Sequence, residues 1–222
     1  MSLPNGYKRL EYIRSSGTQY IDTGFKPNQD TRVVMDVEPS NSGADVWFFE
    51  GRHDANSYRS GVFVQYSLAT PLFYSDYGTS RLKLSGVPTT SRITIDKNKN
   101  VVSIGSVSVT HGTQTFQSNY NLYLLCNNTA GTKKGYVHGK LYSCQIYDNG
   151  ALIRDYIPCQ TTSEEIGLWD DVNSVFYGNA GTGTFIAGPV VTSPSIFVNI
   201  NGIWKPINHI YVNINNIWQK ST

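Results

Sequence analysis

The residues best suited to acid–base chemistry do not assemble into a catalytic pattern. Retaining glycoside hydrolysis needs two carboxyl groups about 5–5.5 Å apart. Asp36 and Glu38 alternate along one extended run and would share a face. Pro39 follows them directly and no third acid continues the alternation. Glu164–Glu165 and Asp170–Asp171 are neighbours in sequence, and neighbours on a strand point to opposite faces. Serine chemistry lacks a Gly-x-Ser-x-Gly elbow. His53, His111, His138 and His209 fall in loop-like or strand-end contexts, where a solvated or hydrogen-bonded imidazole is the default. Cys126, Cys144 and Cys159 are odd in number and show no metal-like spacing, so they read as small buried hydrophobes. No catalytic residue is expected, and the chain reads as non-enzymatic.

Recognition chemistry is better represented. The stretch from Glu50 to Tyr77 mixes hydrogen-bonding and aromatic side chains: Arg52, His53, Tyr58, Arg59, Tyr66, Tyr74, Asp76 and Tyr77. Sugars offer C–H faces that stack on such rings and hydroxyl groups that pair with such polar groups. Turn residues interleave the stretch, as in a site presented by loops. A second candidate is the segment 127–134, with Asn127 and Asn128 at its start. The competing reading is that many of these tyrosines face the core of a sheet.

The elements that would position these groups are strands. Charged residues are 15% of the chain, aromatic residues 13%, and 15 of the 222 residues are tyrosine. That composition favours β-structure over helices, whose exposed faces draw on Glu, Lys, Arg and Ala. Val33, Met35 and Val37 alternate with Val34, Asp36 and Glu38, as in a strand with one buried face. Trp47–Phe49, Val62–Val64 and Leu72–Tyr74 are short apolar runs that read as core strands. Lys97–Asn100, Gly105–Ser106 and Asp148–Gly150 read as hairpin turns. No window carries an i, i+3, i+4, i+7 apolar stripe, so little or no helix is expected. The net charge of +2, without a basic cluster, argues against a nucleic-acid partner. No segment has the apolar length of a membrane span, and residues 1–9 lack the apolar core of a signal peptide.

Composition changes after Gly188. Residues 189–194 read as a linker between Pro189 and Pro194, dividing a domain at 1–188 from a tail at 195–222. Within the tail, Val198-Asn199-Ile200-Asn201-Gly202-Ile203-Trp204 returns as Val212-Asn213-Ile214-Asn215-Asn216-Ile217-Trp218. Each copy reads as one β-hairpin with a Trp on its second arm. Single hairpins are marginal in water, so docking on the sandwich, on other subunits or on another protein is expected, with Trp204 and Trp218 as contacts. A flexible tail is the alternative.

The segment Leu10-Glu11-Tyr12-Ile13-Arg14-Ser15-Ser16-Gly17-Thr18-Gln19-Tyr20-Ile21-Asp22-Thr23-Gly24 resembles the first strand pair of LamG-like, concanavalin A-like domains. Gly139–Gly150 is similar to the penultimate strands of that family, and Gly167–Asp170 with Phe176–Phe185 to its last. The resemblance spans roughly residues 7–188 and implies a jelly-roll β-sandwich of two antiparallel sheets. Domains of this kind occur in bacteriophage tail proteins and in gut-bacterial surface proteins, and the tail repeat resembles short repeats at the ends of phage tail proteins. Together these imply a lectin-like module that recognises a host surface glycan, made in the cytoplasm and displayed on a virion or cell surface. An oligomerisation module, forming a trimer as phage fibres do or joining other tail proteins, is the rival. Glucanases on this fold carry Glu-x-Asp-x-x-Glu on one strand, and no such run exists here. Many relatives hold calcium, for which Asp170, Asp171 and Asn173 are the best-placed cluster. Turn formation by the same residues is the alternative.

Overall fold

The computed structural model describes residues 3–54 and 56–191 and the backbone of four strands in the segment 196–220. The chain divides into two units, Met1–Val190 and Val191–Thr222. The first is all-β, with no helix among the described residues. Its strands are β1 (Tyr7–Arg9), β2 (Ile13–Ser16), β3 (Ile21–Asp22), β4 (Thr31–Pro39), β5 (Val46–Arg52), β6 (Arg59–Gln65), β7 (Leu72–Gly78), β8 (Ser80–Leu84), β9 (Ile93–Asn98) and β10 (Val101–Ile104). They continue with β11 (Val107–Thr110), β12 (Tyr123–Leu124), β13 (Asn127–Thr129), β14 (Thr132–Lys134), β15 (His138–Asp148), β16 (Ala151–Thr161), β17 (Ile166–Asp170), β18 (Val175–Tyr177) and β19 (Ile186–Ala187).

These strands form a two-sheet sandwich. The larger sheet runs β11-β10-β9-β4-β15-β16-β17-β18, with β1 beside β16 and with β2 joining β15 to β19. The smaller runs β14-β13-β5-β6-β7-β8, with β12 between β3 and β5. Pairing is antiparallel throughout, except that β13 runs parallel to β5. In β4 the alternation is complete: Thr31, Val33, Met35, Val37 and Pro39 are buried, and the intervening residues are half-buried. Val33, Met35 and Val37 enter one apolar core with Ile95, Leu141 and Ile146 from the larger sheet and Phe48, Val62 and Phe73 from the smaller. At the β15–β16 hairpin, Asn149 and Gly150 have φ of 47° and 84°, the left-handed geometry that suits Asn-Gly. Cys126, Cys144 and Cys159 are buried free thiols.

Pro189 and Val190, read from the sequence as linker, belong to the sandwich unit. The Glu11 N–H donates to the Pro189 carbonyl at 2.8 Å, and Val190 bridges Leu10. In the second unit, Ile196–Ile200 pairs antiparallel with Ile203–Ile207, and Tyr211–Ile214 with Ile217–Lys220. Each pair is a two-stranded sheet, in keeping with one hairpin per repeat.

Lys97 departs from its sequence reading. It stands on β9 rather than in the following turn, its side chain points into the sandwich, and it is 1% exposed. Its Nζ donates to the Lys99 carbonyl at 3.1 Å and lies 5.1 Å from the centre of the Tyr77 ring. Burial pushes its pKa down to about 7, against which the charges of Asp76 and Glu50 pull upward. A folded amine with a depressed pKa costs stability most at pH below that value. The cost is relieved as pH rises from about 7 toward the unfolded value of 10.5. Lys97→Met, of similar length, is expected to raise stability at pH 6 by about 1 kcal/mol or more. It is also expected to flatten the rise in stability between pH 7 and 10. Urea unfolding of both proteins at pH 6 and pH 9 checks both effects.

Candidate functional site

The outer face of the smaller sheet brings aromatic and charged groups together, and a β-bulge creates the arrangement. Between Trp47 and Phe49 the register of β5 against β6 shifts by one residue. Trp47 lies opposite Phe63 while Phe49 lies opposite Val62, so Phe48 and Phe49 both turn into the core. After the bulge, Glu50 and Arg52 return to the face on which Trp47 stands.

On that face three rings run across the strands. Trp47 stacks on Phe63 with centroids 4.8 Å apart, and Phe63 stacks on Tyr74 at 5.1 Å. Their planes are within 18° and 13° of parallel. Trp47 and Tyr74 are half-buried, whereas Phe63 is covered, in part by the Arg81 guanidinium 4.6 Å above it. The Arg52 guanidinium lies 5.7 Å from the Trp47 ring.

A charge network adjoins the rings. Glu50, Gly61, Asp76 and Arg81 stand opposite one another on β5, β6, β7 and β8. A Cβ at Gly61 would lie 2.8 Å from both Cβ and Cγ of Glu50, so glycine leaves the space that the Glu50 side chain needs. Arg81 grips Asp76 with two hydrogen bonds of 2.8 and 2.7 Å, and Arg59 Nη1 lies 3.3 Å from the same carboxylate. Glu50 Oε2 accepts from Asn127 Nδ2 at 2.7 Å and lies 3.3 Å from Arg52 Nη1. Arg52 Nε donates to the Thr129 hydroxyl, which in turn donates to Asn127 Oδ1. Burial raises the Glu50 pKa well above the ordinary carboxylate value, and the Asp76 charge raises it further, against the pull of Arg52. Glu50 therefore holds its proton to a higher pH than an exposed glutamate does. Two buried atoms here, Glu50 Oε1 and Trp47 Nε1, have no hydrogen-bond partner.

Of the residues proposed from sequence, this face gathers Arg52, Arg59, Tyr74, Asp76 and Asn127. It sits on β5, β6, β7 and β13 rather than on loops, a correction to the loop-presented reading. Tyr66 and Tyr77 lie on the opposite parity and point inward. Tyr66 is 6% exposed and donates to the Thr89 carbonyl, and Tyr77 is 3% exposed and packs edge-on against Phe116 at 5.0 Å. Asn128 serves its own turn, donating to the Asn121 carbonyl and accepting from the Gly131 N–H. His53 and Tyr58 meet edge-to-face at the end of β5, beside Tyr120. Trp47, Glu50, Phe63 and Arg81 were not singled out from the sequence. A Glu–Gly–Asp–Arg row spread over four strands leaves no local spacing to detect.

Asp170 does not fit a calcium ion. Its Oδ1 accepts from the backbone N–H groups of Asp155 and Val172, and its Oδ2 from Asn173 Nδ2 at 2.7 Å. Both oxygens of the buried carboxylate are thus turned toward donors, with Arg154 Nε 3.5 Å away. Asp171 and Asn173 complete a turn, with the Asp171 N–H on the Asp155 carbonyl. No group of three or more His, Cys, Asp or Glu side chains among the described residues could hold a metal. His111 and Ser75, 3.0 Å apart, would be the parts of a nucleophile–base pair, but both are buried. A second serine, Ser80, occupies the other ring nitrogen where an orienting acid would stand, and burial pushes His111 down to about 4. Trp204 and Trp218, expected as docking contacts, have side chains outside the described residues.

No family model matches the chain. Among curated proteins it is similar to pH-responsive protein 2 of Candida albicans, 25% identical over 150 residues. The match covers 62% of this chain and 26% of that protein, so the chain spans about a quarter of its relative's length. At that identity and coverage the likeness assigns no family. No helix among the described residues is long and apolar enough to cross a membrane.

The two carboxyl groups respond differently to neutralisation. Asp76→Asn strands Arg59 and Arg81 beside a neutral amide and is expected to cost about 3 kcal/mol or more. Glu50→Gln replaces a group already inclined to be neutral and is expected to cost less. An acid whose folded pKa is raised contributes stability that is present at low pH. That stability is lost as pH rises from its unfolded value of 4.5 through the raised folded value. Glu50→Gln should remove that decline. Chemical denaturation of the three proteins from pH 4 to pH 9 tests both statements, and equal costs for the two variants would contradict the assignment.

Proposed function

We propose that the sandwich is a non-catalytic glycan-binding module that holds a surface polysaccharide across the outer face of its smaller sheet. The observation that carries this reading is the stacked row Trp47–Phe63–Tyr74 laid beside a line of arginines and carboxyl groups. Trp47 and Tyr74, the half-buried ends of the row, suit contact with the C–H faces of a sugar chain, and Arg81, 37% exposed at its side chain, suits its hydroxyl groups. Catalysis is disfavoured because Glu50 and Asp76 are fully buried and committed to Asn127, Arg59 and Arg81. A glycosidase acid–base pair must instead flank the scissile bond. The resemblance of residues 7–188 to LamG-like domains supports the same class and suggests a setting on a phage tail or a bacterial surface.

A glycan and cell-wall polysaccharide array with the full chain tests the proposal. Saturable binding is expected, weakened about tenfold or more by Trp47→Ala and by Tyr74→Ala, with the β-sheet circular dichroism spectrum retained. A folded protein silent across the array, or binding indifferent to both changes, would reject it.

A second reading rests on the tail, whose two-stranded sheets are each too small to be stable in isolation. In it, residues 195–222 assemble copies of the chain or join other tail proteins. Light scattering of the full chain and of a chain ending at residue 194 decides this, since equal masses per particle would dismiss an assembly role.

A further inference from the structure

Away from the outer face, a cleft of about 430 Å³ opens between the β2–β3 connection, the end of β14 and the loop after β18, lined by Thr18, Tyr20, Lys133, Tyr136, Ala180 and Thr182. Its volume falls in the range of small-ligand sites. Tyr20 and Tyr136 form its aromatic part, with ring centroids 6.2 Å apart, and Tyr123 backs Tyr20 at 4.7 Å.

The wall opposite is fixed before any ligand arrives. The Ala180 N–H donates to the Tyr20 carbonyl at 2.9 Å and the Thr182 N–H to the Thr18 carbonyl at 3.2 Å. The Thr18 hydroxyl donates to the Thr182 carbonyl at 2.9 Å. Asn179 Oδ1 accepts from the N–H groups of Tyr20 and Gly181 at 3.1 and 2.9 Å. Gly181 is required for this closeness, because a Cβ there would collide with the Thr18 carbonyl oxygen. Preorganisation of this kind lowers the entropy cost of binding.

Lys133 is the single charged residue among those lining the cleft. It is exposed, and no carboxylate among the described residues forms an ion pair with it. A cation left without a partner beside two phenol rings matches a ligand that is itself part ring and part anion. We infer that this cleft is a second binding site, selective for an acidic sugar, with the uronic acid ring against Tyr20 and Tyr136 and its carboxylate answering Lys133. The inference rests on the glycan-binding reading and adds to it an acidic class of polysaccharide.

The test is a calorimetric or saturation-transfer titration of the full chain with sodium galacturonate and sodium glucuronate, with galactose and sodium acetate as controls. At least one uronate is expected to bind with millimolar affinity and both controls at least tenfold more weakly. Lys133→Ala should weaken uronate binding about tenfold at low salt and bring it to the level of galactose. Tyr136→Ala should abolish it, and Tyr74→Ala on the outer face should leave it unchanged. Failure of both uronates, equal binding of acetate, or binding untouched by Lys133→Ala and Tyr136→Ala would overturn the inference. If polysaccharide binding sensitive to Tyr74→Ala persists in those cases, the cleft fails alone and the outer-face reading stands.

Discussion

A single extra residue in β5 governs what the smaller sheet can present. In a regular strand Trp47 and Glu50 would point to opposite faces, because side chains alternate with period two. The bulge between Trp47 and Phe49 absorbs one residue, buries Phe48 and Phe49 together and delivers Glu50 and Arg52 to the side already occupied by Trp47. The aromatic row and the charge network share a surface only because of that irregularity. Gly61 is its partner in the design. On the strand opposite, it withholds a side chain where that of Glu50 must pass.

The charge network explains why so polar a patch can lie so close to a β-core. Asp76 is wholly buried, yet its oxygens are met by two arginines. Glu50 has weaker support, and a raised pKa is the expected response of a carboxyl group that cannot be fully compensated. Across the sandwich, the outer face of the larger sheet handles charge in a different way. There Arg32 and Asp96, Arg92 and Asp36, and Lys140 and Glu38 pair laterally between neighbouring strands, at least partly in contact with water. Such pairs contribute little each.

Much of the architecture was legible in the residues. The alternation of β4, the Asn149–Gly150 turn and the repeated hairpins of the tail follow from local pattern alone. The site was legible only in part, for reasons of parity. Tyr74 and Tyr77 sit on one strand three residues apart, so one faces out and the other in, and the composition of the stretch cannot tell them apart. Lys97 was misread because a lysine beside Asn98 and Asn100 looks like a turn. Its burial follows from strand phase, since Ile93, Ile95 and Lys97 share the inward parity. Glu50 and Arg81 were missed because what joins them to Asp76 is cross-strand register, which appears only once the strands are paired.

The three thiols carry a further consequence. Burial raises the pKa of Cys126, Cys144 and Cys159 alike, so the thiolate that attacks disulfides and oxidants is scarcely formed. A fold held by strand pairing and apolar packing, with its three thiols sealed inside, has no cross-link to lose in a reducing medium. It has none to form by accident in an oxidising one. The sandwich therefore keeps the same disulfide-free covalent structure in reducing and in oxidising media.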